Sequence, residues 1–522
     1  MSQFVLFKIK ELCSPVIGLA SLLAMLGGCA VGPDFKSPAA PKAEGYTVQA
    51  LPAQTASAAE IAGGAAQKFD PASVLPADWW SLFHAPQLDA LVERALKHSP
   101  TLEAAHAMLR QAQQNVIAQK GYFYPNVSAS YSPSRNMIAG NGGGGPGLQN
   151  NGDVLSAGAN QPVLYNFHVA QLSVGYVPDV FGGNRRQVES LQAQLEAQHF
   201  QLEAAYITLA ANVVAAALQE ATLRAQIKAM DEVVKFNHEN LDILHKQLSL
   251  GYVAGIDVAG QEAAAAQAEQ MLIPLNRQLE QTRDLLRALV GKLPNEELDE
   301  TFSLDDLSLP QDLPLSLPSQ LVEQRPDIRA AQAQWHAATA QVGVARAGRL
   351  PQFAITANVG GMAPSPDWMF RNGGEFFNII GSITMPIFDG GTLKAREQAA
   401  RENLKQVAAN YRQTVITAFQ NVADVLHAIR FDADYLQAAL RTERAMQETA
   451  ELTRMQYELG YASYQSVLLA EQNYQQASVN LVQARATRFG DTVALFQALG
   501  GGWWNRKAAE PSVTGPGKED AN

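Results

Sequence analysis

Cysteine is almost absent from this chain: it has two, Cys13 and Cys29. Cys13 falls inside the leader described below, so no thiol pair is left to oxidise and the fold must hold without disulfides. Basic residues are also in short supply. Lys and Arg number 39 against 50 Asp and Glu, a net charge of −11, and no basic run supplies the face that releases phosphate counterions, which excludes nucleic acid as a partner. The 9 histidines are scattered without HExxH or other ligand spacing, and no Ser/His/Asp set can be assembled, so neither a metal centre nor a hydrolytic triad is expected. Gly142 to Gly145 have no Lys-Ser/Thr beside them and form a loop rather than a phosphate cradle. The reading is a protein without catalytic residues or cofactor.

What is present starts with a leader. In MSQFVLFKIKELCSPVIGLASLLAMLGGCA, Lys8 and Lys10 precede an apolar run that ends in small residues, the pattern of a secretory signal and too short for a stable span. Leu26-Gly27-Gly28-Cys29 resembles the bacterial lipoprotein box. That resemblance implies a signal peptide over 1–28, a lipidated Cys29 as first mature residue and, because Ala30 rather than Asp follows, the outer membrane. Residues 29–76 are rich in Ala, Pro and Gly and read as a lipid-anchored tether. The end of the chain, 503–522, reads as a tail.

Between these the chain repeats itself. SPTLEAAHAMLRQAQQNVIAQKGYFYPN from Ser99 aligns with RPDIRAAQAQWHAATAQVGVARAGRLPQ from Arg325, with Pro100 over Pro326 and Pro125 over Pro351 at an offset of 226. VPDVFGG at Val177 matches MPIFDGG at Met385, QLSLGYVAGIDV at Gln247 matches QYELGYASYQSV at Gln456, and LLRALVGK matches LFQALGGG. The copies are 77–291 and 325–502, joined by a connector over 292–324. Each contains a long stretch free of Gly and Pro, from Asn184 to Leu250 and from Thr392 to Leu459, with apolar residues every three to four positions. These predict coiled-coil-like helices of about 100 Å. After Gly251 and Gly460 the chain returns for too few residues to cover the outgoing helix. The shortfall matches the helix that opens each copy, so a return leg and an opening helix are expected to stack end to end, with the connector as a belt at that level. Trp79, Trp80, Trp503 and Trp504 are expected to pack this belt.

Each copy also carries a β-hairpin. VSASYSPS from Val127, QLSVGYVPDV from Gln171, QFAITANVGG from Gln352 and IIGSITMPIF from Ile379 alternate apolar and small polar residues, as strands do when one face meets lipid and the other water. Four strands cannot close a barrel, and an open edge is not tolerated in lipid. Two copies would give eight strands with a filled interior; three give twelve with room for a lumen, which is the reading taken.

The lipoprotein box, ADWWSLFHAPQLDALVERAL at Ala77, PSQLVEQRPDIRAAQAQ at Pro318, MPIFDGG and the terminal ALGGGWW together resemble TolC-type outer-membrane efflux channels of the NodT or OprM-like lipoprotein branch. The resemblance implies an α+β membrane protein: a homotrimeric twelve-strand transmembrane β-barrel, four strands per protomer, continued by a long periplasmic α-helical barrel, with an internal repeat and a mixed equatorial belt. It implies a passive outer-membrane channel in a tripartite system, joined to a periplasmic membrane-fusion adaptor and an inner-membrane pump of RND, MFS or ABC type. The competing reading is a non-conducting coiled-coil lipoprotein spacer.

In the family the turns at Gly251 and Gly460 form the periplasmic tip, where the tube tapers to a gate. Asp257 matches an acid of the family pattern whose partner is a tyrosine three residues before the second glycine, so a link between Tyr457 and Asp257 is expected. Where that pattern has two acids six and nine residues after the second glycine, this chain has Ser466 and Leu469. Closure is therefore expected to rest on narrow packing and partial dewetting around Leu469 rather than on a cation-selective ring of acids. Asp257 has an alternative role as a helix cap, and Leu469 as a coiled-coil seam residue.

Overall fold

The computed structural model describes residues 30–43, 45–71, 73–138, 163–371 and 373–506. The signal segment, Cys29, the glycine-rich insert and the tail from 507 lie outside them. The elements are β1 (Lys68–Asp70), α1 (Pro86–His98), α2 (Pro100–Lys120), β2 (Asn126–Ile138), β3 (Val163–Tyr176), α3 (Gly183–Ser249), α4 (Gly255–Leu289), β4 (Asp312–Pro314), α5 (Pro318–Gln324), α6 (Pro326–Ala347), β5 (Gln352–Ala363), β6 (Glu375–Thr384), α7 (Thr392–Glu458) and α8 (Tyr464–Ala498). The two long helices have 67 residues each and the two return helices 35 each, so the duplication read from the sequence is a duplication of structure. The chain forms two compact units, one holding 112–195 and 334–407 with residues up to Lys36, the other 37–111, 196–333 and the chain from 408. The division falls inside the helices.

The first unit contains a four-stranded antiparallel sheet in the order β2-β3-β5-β6. Its register sorts the side chains. Val127, Val174, Ala357 and Ile379 form one row across all four strands, and Ala129, Leu172, Val359 and Phe377 the next on that face. Ser128, Ser173, Asn358 and Asn378 make a row on the opposite face, because successive residues of a strand point to opposite sides. Val127, Leu172, Val359, Phe377 and Ile379 are all exposed. β3 and β6 start earlier than the alternation marked, at Val163 and Glu375. Just beyond the sheet, aspartates cap both long helices: Asp179 accepts the amides of Asn184 and Arg185 at 2.9 and 2.8 Å, and Asp389 those of Gly391 and Leu393 at 2.8 Å each. Each satisfies amides that the first helical turn leaves unpaired and sets a negative charge at the positive end of the helix.

The core of the second unit joins Leu209, Val213 and Leu218 of α3, Leu286 of α4, Val422, Leu426 and Ile429 of α7, and Phe489, Val493 and Phe496 of α8. Part of α3 is apolar enough to cross a membrane, but most of that stretch is buried in the protomer. The connector supplies Leu298, Phe302, Leu304, Leu307 and Leu313 to the same core, and Trp79 and Phe83 pack on Phe496. The expected end-to-end stacking is present in both copies. Gly291, with φ +79°, ends the first return leg so close to the opening helix that a Cβ would lie 2.7 Å from the His98 carbonyl. In the second copy Arg325 donates to the Ala498 carbonyl at 2.8 Å and makes two bonds to Asp327 at 3.0 and 2.7 Å.

The segment read as a tether is corrected: it is built into both units. In the first, the Val31 amide donates to the Phe181 carbonyl at 3.1 Å, Arg186 bonds Asp34 at 2.6 Å, and Phe35 stacks on His336 at 4.6 Å. In the second, β1 pairs with β4 of the connector, and the buried Arg488 donates to the carbonyls of Gly63 and Ala65 at 3.0 Å each and to Gln67 at 3.1 Å. Small residues here serve close approach rather than flexibility. Gly32 has φ +110°, and a Cβ on it would lie 2.5 Å from the Gly343 Cα. Gly32→Ala is expected to unseat this segment: amide hydrogen exchange should quicken across residues 31–36, with Val31 the most affected, and stay unchanged in β1.

Candidate functional site: the paired helix turns and the apolar sheet

The two tip turns are the same device used twice. Gly251 and Gly460 both have φ +78°, a region glycine enters without the penalty a Cβ brings. Around the first, the Tyr252 amide donates to the Gln247 carbonyl at 2.9 Å and the Gly251 amide to that of Leu248 at 3.0 Å. Around the second, Tyr461 donates to Gln456 at 2.8 Å and Gly460 to Tyr457 at 2.9 Å. This crossed pair of bonds satisfies carbonyls at the end of each long helix.

The return helices start with a division of labour that explains why one turn carries an acid and the other does not. At the head of α4 the residue in the capping position is Ala254, which has no side-chain acceptor; the Asp257 carboxylate reaches back to the Ala254 amide at 3.1 Å. At the head of α8 the capping residue is Ser463, whose hydroxyl accepts the Ser466 amide at 3.2 Å and lies 2.9 Å from the Ser466 hydroxyl. Asp257 and Ser466 occupy matched positions: Asp257 supplies a side-chain bond where Ala254 has none, and Ser466 offers its amide and hydroxyl to the Ser463 cap.

Among the described residues no hydrogen bond joins Tyr457 to Asp257, which corrects the expected link. Asp257 is engaged with its own helix, and the tyrosine that crosses between the two copies is Tyr464. Its hydroxyl donates to Gln261 Oε1 at 2.7 Å, and Gln261 in turn donates to the Asn237 carbonyl and side-chain oxygen at 2.7 and 3.1 Å. Gln261 is fully buried, so both ends of its amide are satisfied across three helices, α3, α4 and α8. Tyr457 packs edge-on against Tyr464 at 5.3 Å. A second tie joins Arg454 of α7 to Glu471 of α8, with the guanidinium 4.8 Å from the Phe236 ring of α3. Leu469 is 59% exposed in the protomer. Cys29 lies outside the described residues.

Burial pushes the Tyr464 phenol up to about 12, with Tyr457, Asp257 and Glu471 adding in the same direction. Burial, then Asp257, also raises Tyr457. The folded state thus favours the neutral phenol. Its contribution is complete below the ordinary value of 10.0 and is lost as pH rises through about 12, so the Tyr464–Gln261 bond is unaffected across neutral pH.

A sheet with apolar rows on one face and a polar row on the other, in a chain with paired helices of this length, fits a subunit of an outer-membrane channel. The chain belongs to the outer membrane efflux protein family, whose model matches residues 91–292 and 317–501, and it is the outer-membrane channel component of an efflux system. Among its relatives are the toluene efflux pump outer membrane protein TtgC of Pseudomonas putida, 27% identical over 494 residues covering 94% of this chain and 96% of that one. The pyoverdine export outer membrane protein OpmQ of Pseudomonas aeruginosa is 28% identical over 434 residues, covering 81% and 87%. Of solved structures, the outer-membrane channel OprN superposes with a TM-score of 0.78 at 26% identity over 91% of this chain and 100% of that one. The open state of the Neisseria gonorrhoeae MtrE outer membrane channel superposes with a TM-score of 0.73 at 25% identity over 91% and 99%.

Tyr464→Phe leaves the buried Gln261 oxygen without its donor, a loss of about 1–3 kcal/mol. The expected outcome is faster hydrogen exchange at the heads of α4 and α8, and loss of the alkaline loosening between pH 10 and about 12 that the wild-type phenol produces.

Proposed function

We propose that three copies of this chain close a twelve-strand barrel in the outer membrane and continue as a helical conduit into the periplasm. The conduit passes small toxic compounds or drugs outward without catalysing any reaction. The observation that carries this reading is the four-stranded sheet, with two adjacent apolar rows crossing all four strands on one face and, among the described residues, two unpaired edges, β2 and β6. Lipid accepts the face but not the edges, because each unpaired backbone group there costs several kcal/mol. Three protomers remove every edge and leave a lumen lined by the polar rows.

The relatives are named as outer membrane proteins of toluene efflux and pyoverdine export. For this chain the same part implies a periplasmic membrane-fusion adaptor and an energised inner-membrane pump, since a barrel and helices alone supply no energy. Lipidation of Cys29 anchors the mature N-terminus to outer-membrane lipid. The turns at Gly251 and Gly460 form the closed tip, with Asp257, Tyr457, Ser466 and Leu469 as its gate residues. Asp257 and Ser466 are engaged as caps, which leaves the exposed Leu469 as the side chain free to narrow and dewet the opening.

Native mass spectrometry of protein extracted from membranes in mild detergent reads copy number and the mass at Cys29 together. Three copies carrying an acyl-glyceryl addition are expected; a monomer or dimer without lipid overturns the barrel and the anchor and favours the spacer. In planar bilayers, Asp257→Ala is expected to open the tip more often while leaving divalent-cation block weak. Strong block by low concentrations of divalent cation overturns the Leu469 gate.

A further inference from the structure

We infer that the carboxyls of Asp432 and Asp491 share one proton, and that its loss draws Arg488 away from the N-terminal segment it holds against α7 and α8. The device needs neither the trimer nor the lipid. The segment over 55–67 lies on this helix pair. Ala58 packs with Leu436, Ala439 and Leu440 of α7 and Ala484 of α8, and a Cβ on Gly63 would lie 2.7 Å from the Phe489 ring. Arg485 donates to the Ala62 carbonyl at 3.0 Å. The central tie is Arg488, 1% exposed, which besides Gly63, Ala65 and Gln67 reaches the Thr55 hydroxyl at 3.5 Å.

A buried cation is ordinarily compensated by a carboxylate. Here the four acceptors of the Arg488 guanidinium are neutral oxygens, and its Nε is buried without an acceptor. An acid stands one turn along the same helix: Asp491, whose Oδ2 is buried without a donor. A second acid explains why the two are not joined. Asp432 of α7 lies within hydrogen-bonding reach of Asp491. Two ionised carboxylates are acceptors only, so they bond across the helix pair only when one of them carries a proton. A carboxyl neutralised in this way makes no claim on Arg488, which is left to the segment.

Burial, then the bond to Asp432 and its charge, push Asp491 up to about 8, with Arg488 opposing. Burial lowers Arg488, with Asp491 opposing. The charged groups acting on Asp491 are thus Asp432 from α7 and Arg488 from α8. The segment presents only the neutral Thr55 and Gln67, the latter bonded to Thr492 at 3.0 Å, and Arg485, one turn before Arg488, is paired with Asp305 of the connector at 2.8 Å. The contribution of the neutral carboxyl is fully present below the ordinary 3.8 and is lost as pH rises through about 8. Above that pH two negative charges face each other. Turning the Arg488 guanidinium toward Asp491 then compensates one of them, at the expense of the carbonyls of Gly63 and Ala65.

The test uses the full-length protein in mild detergent. An infrared pH titration of the wild type reads the proton directly: the carbonyl band of a protonated carboxylic acid is expected below, and its loss at, a midpoint of about 8. Asp432→Asn removes the like charge and is expected to move that midpoint to lower pH. Absence of the band in the neutral wild-type protein overturns the shared proton. Hydrogen exchange then reads the latch, with α1 of the same molecule as internal reference and Asp491→Asn, which keeps the shape of the neutral acid without its titration, as comparison. Relative exchange across 55–67 in the wild type is expected to rise about tenfold between about pH 7 and about pH 9, and to stay level in Asp491→Asn. A band that titrates as expected while exchange across 55–67 keeps pace with α1 overturns the coupling to Arg488.

Discussion

A helix of about 100 Å in water must be covered along its length, because packing an apolar stripe, not intrinsic propensity, is what keeps most helices formed. Here each 67-residue helix is covered by two shorter ones that meet end to end, and the rest of the architecture depends on that joint. It is electrostatically sound, since the carbonyl end of the return helix faces the amide end of the opening helix. In the second copy Arg325 bridges the joint, donating to the Ala498 carbonyl while Asp327 orients its guanidinium and accepts the Ile328 amide at 2.9 Å. That geometry is the physical content of the RPDIRAA stretch. The first copy has Ser99 in place of Arg325 and meets the same need by the tight turn at Gly291. The connector packs at this level because the joint needs the most cover there.

The sheet obeys a second constraint of the same kind. Its apolar rows leave large side chains without protein cover, and its edges leave backbone groups without partners. Water would penalise the first and lipid the second. On the reading proposed above, membrane and further copies together resolve both. What the chain provides is a sheet with apolar rows on one face and a polar row on the other, and helix turns tied by the Tyr464–Gln261 hydrogen bond and the Arg454–Glu471 ion pair.

Much of this was legible because it is periodic. The missing glycines and prolines set the long helices to within about two residues, and the matched prolines and glycines located the corners, caps and joints. Strand alternation marked the apolar rows of the sheet. What stayed hidden carries no period. Tyr464 and Gln261 are two among many polar residues of their helices, and their bond exists only once the two hairpins lie side by side. Tyr457 drew attention by its spacing from Gly460, whereas its neighbour across the turn does the bonding. The start of β3 was blurred because in VLYNFHVA the apolar alternation changes face: Tyr165, Phe167 and Val169 lie on the opposite side from Leu172 and Val174, and Asn166 and His168 on theirs. The N-terminal stretch was read as a linker because alanine, glycine and proline dominate it, a composition that also suits a chain pressed closely against other backbones.

That last feature bears on how far the proposed N-terminal anchor could wander. A loose linker over 29–76 would let its ends separate by an r.m.s. distance of about 40 Å, enough for the lipid to roam over the membrane around the channel. Ala30 is instead held against Gly182 and the Val31 amide is bonded to the Phe181 carbonyl, so the chain is fixed from its first described residue. On the lipoprotein reading proposed above, an acyl group just ahead of that point would act as a fixed leg rather than a mooring line, registering the depth of the protein in the bilayer as well as its attachment to it.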